Sequence, residues 1–389
     1  MLENSRRVLH VLDNLSASSG VATVVMHYIS GVRQVRQDIV VYGNCDDKLK
    51  SDVGACGGRV YKLPYITESY GRRFSSAFSQ LLRDRPYAIV HGHLLNSAFI
   101  YLREAKRLGV PHRIIHAHSA VGSDDFLKKI RNKLLSKGVS FWANNFISVS
   151  SEAALHAYGA KYENRTSVIH NGIDTTRFRF GADVRREVRQ ELGIPNSTLC
   201  VGHIARFAGL KNHKFLLEIF QQMKRKVDCV LVLVGDGPLE ETIKNQARIM
   251  GLSESIYFLG MRRDVDRLCQ GFDLFLLPSQ SEGFGLAAVE AQCSGLPCVL
   301  SENVPKVVAC GNHVSFLSLG ESTLWADTGI DLAGQARTDG SAAVKNAKLD
   351  SDTMCKKISG IYEAMLGGES WVGVQKSPSS SPYTTAGIT

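Results

Sequence analysis

The stretch Phe272-Asp273-Leu274-Phe275-Leu276-Leu277-Pro278-Ser279-Gln280-Ser281-Glu282-Gly283-Phe284-Gly285-Leu286-Ala287-Ala288-Val289-Glu290-Ala291-Gln292-Cys293-Ser294-Gly295-Leu296-Pro297-Cys298-Val299-Leu300-Ser301 decides the fold. An apolar run ends at Pro278, a polar loop runs from Ser279 to Gly285, and a helical pattern opens at Leu286 and is stopped by Gly295 and Pro297. A short apolar strand, a loop and a helix feeding another apolar strand form the unit of a parallel sheet covered on both faces. The loop falls at the carboxyl end of its strand, where open α/β sheets bind ligands, and the free N–H groups of the following helix's first turn suit a phosphate. Gly283 and Gly285 let the backbone come close to such a group.

The same rhythm extends in both directions. Strand patterns at residues 199–204, 229–234, 256–259, 274–278 and 297–301 alternate with helical ones, and an earlier series at 8–12, 39–42, 60–63, 88–91, 113–117 and 145–149 does the same. The expected fold class is α/β, with two Rossmann-like doubly wound parallel-sheet domains facing a cleft. The turn-rich His170-Asn171-Gly172-Ile173-Asp174 separates them, so the first domain is expected over 1–176 and the second over 177–350. A last helical pattern at 351–366 is expected to pack back toward the first domain, and the Gly/Ser/Pro/Thr-rich residues 367–389 read as a flexible tail.

Composition narrows the partners. The 389 residues are 44% hydrophobic and carry a formal net charge of +9, which suits an anionic partner: nucleic acid, an acidic membrane surface or a phosphorylated small molecule. No run of eighteen apolar residues and no hydrophobic leader pattern occur, so a cytoplasmic location is expected. The nine cysteines include no C-x-x-C pair and read as reduced packing residues.

Within the decisive stretch, Glu282 lies in the loop and Glu290 in the helix eight positions on, so two carboxylates at two depths can read two parts of one ligand. The bland alternative is a helix-start acid and a solvated helix residue; the apolar surroundings of Glu290 favour a functional role. Arg206 follows a strand and Lys211 is expected at the start of the next helix, where a cation opposes the helix dipole unless an anion sits between the two. Val234-Gly235-Asp236-Gly237-Pro238 resembles part of a dinucleotide fingerprint, but Glu240 stands at the third glycine position; it reads as a tight turn lining the same cleft. No G-x-x-x-x-G-K-[ST] loop is present.

Glu282 and Glu290 in an E-x7-E arrangement, the Arg206 and Lys211 pair, the Val-Gly-Asp-Gly-Pro turn and Asn171-Gly172-Ile173-Asp174 together resemble the family-4 retaining glycosyltransferases. The wording of 202–220, of Leu277-Pro278-Ser279 and of 290–301 is similar to the branch that builds bacterial exopolysaccharide and capsule repeat units. The resemblance implies a GT-B fold, a nucleotide-sugar donor, usually a UDP-sugar, on the second domain, and a saccharide acceptor on the first. It implies no metal and no other cofactor, and no nucleic-acid partner. Carried onto this chain, Arg206 and Lys211 neutralise the donor diphosphate, and Glu282 with the backbone of Gly283, Phe284 and Gly285 holds the sugar. Glu290 holds the ribose hydroxyls, and Leu286 offers a backbone N–H to the phosphates. Gly235 lines the donor site, and Gly20, the remaining glycine of a loop reading Ser18-Ser19-Gly20, is the point of close approach after the first strand. A histidine near the end of the fifth strand completes the site; His118 is favoured over His116 because it lies nearer the strand's end.

Two further readings stay open. His91-Gly92-His93 and His116-Ala117-His118 form two H-x-H pairs that could hold the metal of a hydrolase, and a glycosyltransferase-like chain can serve as a non-catalytic subunit. The basic amphipathic pattern at 124–137 suits either the surface of the sheet or peripheral contact with an anionic membrane, the latter fitting a polyprenyl-diphosphate-linked acceptor.

Overall fold

The computed structural model describes residues 6–17, 19–66, 68–118, 138–311 and 313–367. The expected basic amphipathic segment at 124–137, Ser18 and the tail beyond Gly367 lie outside the described residues.

Two wholly parallel sheets carry the fold. The first has seven strands, β1 (Arg7–Leu12), β2 (Arg36–Val41), β3 (Val60–Lys62), β4 (Ile89–Gly92), β5 (His112–Ala117), β6 (Asn145–Ser148) and β7 (Thr166–Val168), in the spatial order β3-β2-β1-β4-β5-β6-β7. The second has six, β8 (Leu199–Ile204), β9 (Cys229–Val234), β10 (Ile256–Phe258), β11 (Leu274–Leu277), β12 (Cys298–Ser301) and β13 (Val314–Leu317), in the order β10-β9-β8-β11-β12-β13. Central strands such as β9 (CVLVLV) and β11 (LFLL) are apolar on both faces because helices cover both. The strand order reverses between β1 and β4 and again between β8 and β11, which opens a crevice at the carboxyl ends of those strands in each sheet. Thr166–Val168 and Val314–Leu317 are strands that the sequence pattern did not single out; each is short, lies on a sheet edge and is partly buried over most of its length, so neither shows a sustained apolar run.

Local chemistry sets the element ends. Asp46, Ser150 and Asp350 each accept backbone N–H bonds at the start of the helix that follows them. Ser19 does the same for helix Gly20–Gly31, its hydroxyl accepting from Ala22 N at 3.2 Å, so that hydroxyl is committed to capping. At the root of β11, Asp273 ties the second domain together: it accepts from Arg185 at 2.5 Å, from Arg189 at 2.9 Å and from the Cys200 backbone N–H at 2.8 Å, with Arg189 only 2% exposed.

The domains are stitched by two chain crossings. Ile173 N donates to Leu349 O at 3.0 Å and Ser351 N to Ile173 O at 2.8 Å, and the backbones pass so close that a Cβ on Gly172 would lie 2.3 Å from Asp350 O. After this crossing, helix Ser351–Leu366 lies on the first sheet, burying Met354, Ile358, Ile361, Tyr362 and Met365 among Val8, Ile39, Ile89 and Ile114. Leu286 packs against the cores of both domains, and Arg263 pairs with Asp46 across the divide. All nine cysteines are free, six of them buried.

Candidate functional site

The crevice of the second domain brings the predicted donor residues together. Because β8 and β11 are neighbours, the loops after them touch: Gln280 N donates to Leu210 O at 2.7 Å. Lys211 Nζ lies 2.6 Å from Glu282 Oε1, which also accepts from Ser279 Oγ at 2.8 Å. Lys211 does not open a helix as expected. It ends the short 3-10 turn Gly209–Lys211, Asn212 then takes a left-handed conformation (φ 56°), and the helix begins at His213. The turn aims the ammonium across the crevice rather than along the helix axis, so the expected conflict with the dipole does not arise. Arg206 stands exposed five residues earlier in the same loop, and its guanidinium has no acidic partner among the described residues.

Gly235 and Gly237 act on Arg206 indirectly. Both have positive φ, 137° and 153°, and a Cβ on them would fall 2.1 Å from Ala205 O and 2.5 Å from Phe207 O. Phe207 N donates to Asp236 O at 2.8 Å, so the glycine turn is a bed on which residues 205–207 rest.

Helix Leu286–Cys293 starts from Gly285 at φ 98°, with no side-chain cap on its first-turn N–H groups. Phe284 is buried and stacks on His170 of the interdomain linker at 5.8 Å, which fixes the Gly283–Gly285 loop against the first domain. Gly20, at the start of the first domain's leading helix, faces the Leu286 side chain; a Cβ there would lie 3.8 Å from it. Glu290 is half-buried, not solvated, and desolvation lifts its carboxyl to about 7, against the pull of the Arg177 guanidinium, which lowers it. Arg177, which sequence reading passed over, bonds Asp266 at 2.7 Å and the Arg263 carbonyl at 2.7 Å. Its only signal in the sequence was its place just after the linker.

On the first domain, the two H-x-H pairs and the overlooked His10 form one stack. His91 and His116 lie 3.3 Å apart, His93 and His118 2.8 Å, and His10 and His93 3.0 Å, all between ring nitrogens. Burial holds every one of the five rings neutral, His10 at about 4 and His118 at about 3. The ring nitrogens of His10, His91 and His93, and those of His93, His116 and His118, are near enough to one another to share an ion. No carboxylate belongs to either group among the described residues, so the acid or base that a metallohydrolase needs is not supplied there. The rings instead hydrogen-bond each other, which accounts for their approach without a metal.

A pair of parallel-sheet domains, each with its crevice at the carboxyl ends of the strands, and a cation–carboxylate cluster at one crevice are the arrangement of a two-domain glycosyltransferase of GT-B architecture. Residues 184–313 match the family described as Glycosyl transferases group 1, and residues 18–177 match Glycosyltransferase Family 4. The chain is 33% identical over 339 residues to EpsF, named as a glycosyltransferase, of Bacillus subtilis strain 168, covering 84% of this chain and 88% of that one. It is 28% identical, over 57% of its length and 59% of the relative's, to the Escherichia coli UDP-Gal:alpha-D-GlcNAc-diphosphoundecaprenol alpha-1,3-galactosyltransferase. In fold it is similar to Anabaena HepE in complex with UDP-glucose, with a TM-score of 0.77 at 19% identity over 92% of this chain and 99% of that one. The chain belongs to the family-4 glycosyltransferases. None of its described helices is long and apolar enough to cross a membrane.

Proposed function

We propose that this glycosyltransferase is a retaining enzyme that moves a hexose or N-acetylhexosamine from a UDP-sugar to a polyprenyl-diphosphate-linked saccharide during surface polysaccharide synthesis. The observation that carries the donor side is the Lys211–Glu282 pair beside the exposed Arg206, at the mouth of the strand-order reversal in the second sheet. As the sugar–phosphate bond breaks, negative charge grows on the leaving diphosphate; cations held in place stabilise it more than the ground state. A diphosphate would draw Lys211 from Glu282 and leave that carboxylate, with the Gly283–Gly285 backbone, to hold the sugar. Glu290 would accept from the ribose hydroxyls. No metal ion is needed in this arrangement, since Arg206, Lys211 and the first turn at Leu286 meet the phosphates. Retention follows from attack by the acceptor hydroxyl on the face the diphosphate leaves, with a leaving oxygen taking the proton. Support for the donor and acceptor comes from HepE, which binds UDP-glucose, and from the E. coli relative, whose acceptor is diphosphoundecaprenol-linked. Support for peripheral contact at the cytoplasmic face comes from the +9 charge and the basic pattern at 124–137.

One experiment with two arms tests this reading. Calorimetry of UDP and GDP without and with divalent metal should show metal-independent, UDP-selective binding, weakened by Lys211→Ala about tenfold or more through loss of a charge-assisted contact. Binding that requires metal, or none, would return weight to the metal-site or non-catalytic readings. In the second arm, the enzyme should glycosylate a polyprenyl-linked saccharide in anionic vesicles faster than the free saccharide; equal rates would remove the lipid acceptor.

A further inference from the structure

The histidine stack has a direction, set by a residue outside it. Gln37 of β2 is buried, and its amide nitrogen donates to two helix carbonyls, Tyr28 O at 2.7 Å and Val32 O at 2.8 Å. Both amide hydrogens are thereby used, so its carbonyl oxygen is the atom 3.0 Å from His10 Nε2 and can only accept. His10 therefore carries its proton on Nε2, and, being neutral, offers a lone pair at Nδ1 to His93 Nε2 3.0 Å away. His93 must donate from Nε2 and accept at Nδ1, where His118 Nε2 donates over 2.8 Å. Each step leaves one choice, and the last ring is left with a bare lone pair at His118 Nδ1, a buried atom with no partner among the described residues.

A second run joins Tyr362 Oη to His91 Nδ1 at 2.7 Å and His91 Nε2 to His116 Nδ1 at 3.3 Å, and it ends at His116 Nε2, a buried nitrogen with no partner among the described residues. The rings of His116 and His118 stack at 4.1 Å, so two such nitrogens lie at the end of β5.

We propose that Gln37, acting through His10 and His93, locks His118 as a neutral hydrogen-bond acceptor at Nδ1, so that a substrate group reaching that buried atom has to be a donor, a sugar hydroxyl and not a phosphate oxygen. The sugar hydroxyl rests on the transferase function proposed above; the lock itself does not. Gln37, His10 and His93 are positioning residues and touch no substrate.

The test is nitrogen NMR of the full-length protein labelled at histidine, with the His118 signal assigned by its disappearance in His118→Asn. The wild type should show His118 protonated at Nε2 and bare at Nδ1 at neutral pH; a proton on Nδ1 would overturn the proposal. His10→Phe keeps a ring in the stack but removes the acceptor for His93, and His118 should then lose its fixed tautomer; an unchanged His118 signal would also overturn it. In transfer assays His10→Phe should lower kcat/KM about tenfold, the loss of one oriented hydrogen bond, and should have no further effect in the His118→Asn background. An equal loss in that background would mean His10 supports the fold and not His118. Gln37→Glu, which keeps an acceptor toward His10, should retain the tautomer. Gln37→Met makes the same break as His10→Phe should the latter fail to fold. A wild type that transfers no sugar would sink the transferase reading while the tautomer still decides the lock.

Discussion

Glu290 shows how a single side chain links pH to both stability and binding. Its carboxyl titrates at about 7 in the fold against 4.5 in an open chain, because burial penalises the charged form. Between those values the folded protein holds the proton more tightly than the unfolded chain. Stability from this group is therefore complete below about pH 4.5 and is lost as pH rises through about 7. Glu290→Gln should raise the melting temperature by roughly 2–6 °C above pH 8 and leave it unchanged near pH 4.5, measured by thermal denaturation across pH. The same variant should weaken UDP binding above pH 7, where the wild-type carboxylate is ionised and accepts best; a variant that binds UDP as well as the wild type there would take Glu290 out of the site. Arg206, Lys211 and Glu282 could be picked out in the sequence because each lies in a loop that follows a strand end, and Glu290 because it lies in the helix that the second of those loops opens. The burial that shifts Glu290 was only half legible: its apolar neighbours in the chain pointed to it, whereas Arg177 and Asp266 reach it from other elements.

At the scale of elements, most strands could be read from runs of apolar residues, and the loops after β8 and β11 from the polar breaks between them. The charged root of β11 could not, since Asp273 meets Arg185 and Arg189 from a helix more than eighty positions earlier. Asp273→Asn leaves Arg189 buried and without a counter-charge, which costs about 3–5 kcal/mol. Urea unfolding followed by far-UV circular dichroism should show the midpoint drop accordingly, and an unchanged midpoint would mean the guanidinium finds water or the carbonyls of Pro195 and Thr198 sufficient. The Gly235 turn is an equally non-local case: its sequence resembles a phosphate loop, but its contacts are with the backbone under Arg206.

For the whole molecule, two crossings make the domains depend on each other. Cutting the chain after Asp350 removes Cys355 and five larger buried side chains, Met354, Ile358, Ile361, Tyr362 and Met365, from the first domain's core. At about 1.5–3 kcal/mol each this is on the order of 10 kcal/mol, comparable to the whole net stability of a domain. The truncated chain should lose hydrogen-exchange protection in β1 and β4, measured by mass spectrometry, while β8 and β11 keep theirs; full protection in β1 would show that the helix is dispensable.

Helix Ser351–Leu366 also sets a timetable for biosynthesis. The first domain leaves the ribosome early, yet one wall of its core is encoded about 180 residues downstream of its last strand, a delay of roughly ten to forty seconds at ordinary elongation rates. During that interval the apolar face of the first sheet is open, and binding by a holding chaperone is the expected consequence. Rare codons in the second half of its message would lengthen the exposure of the first.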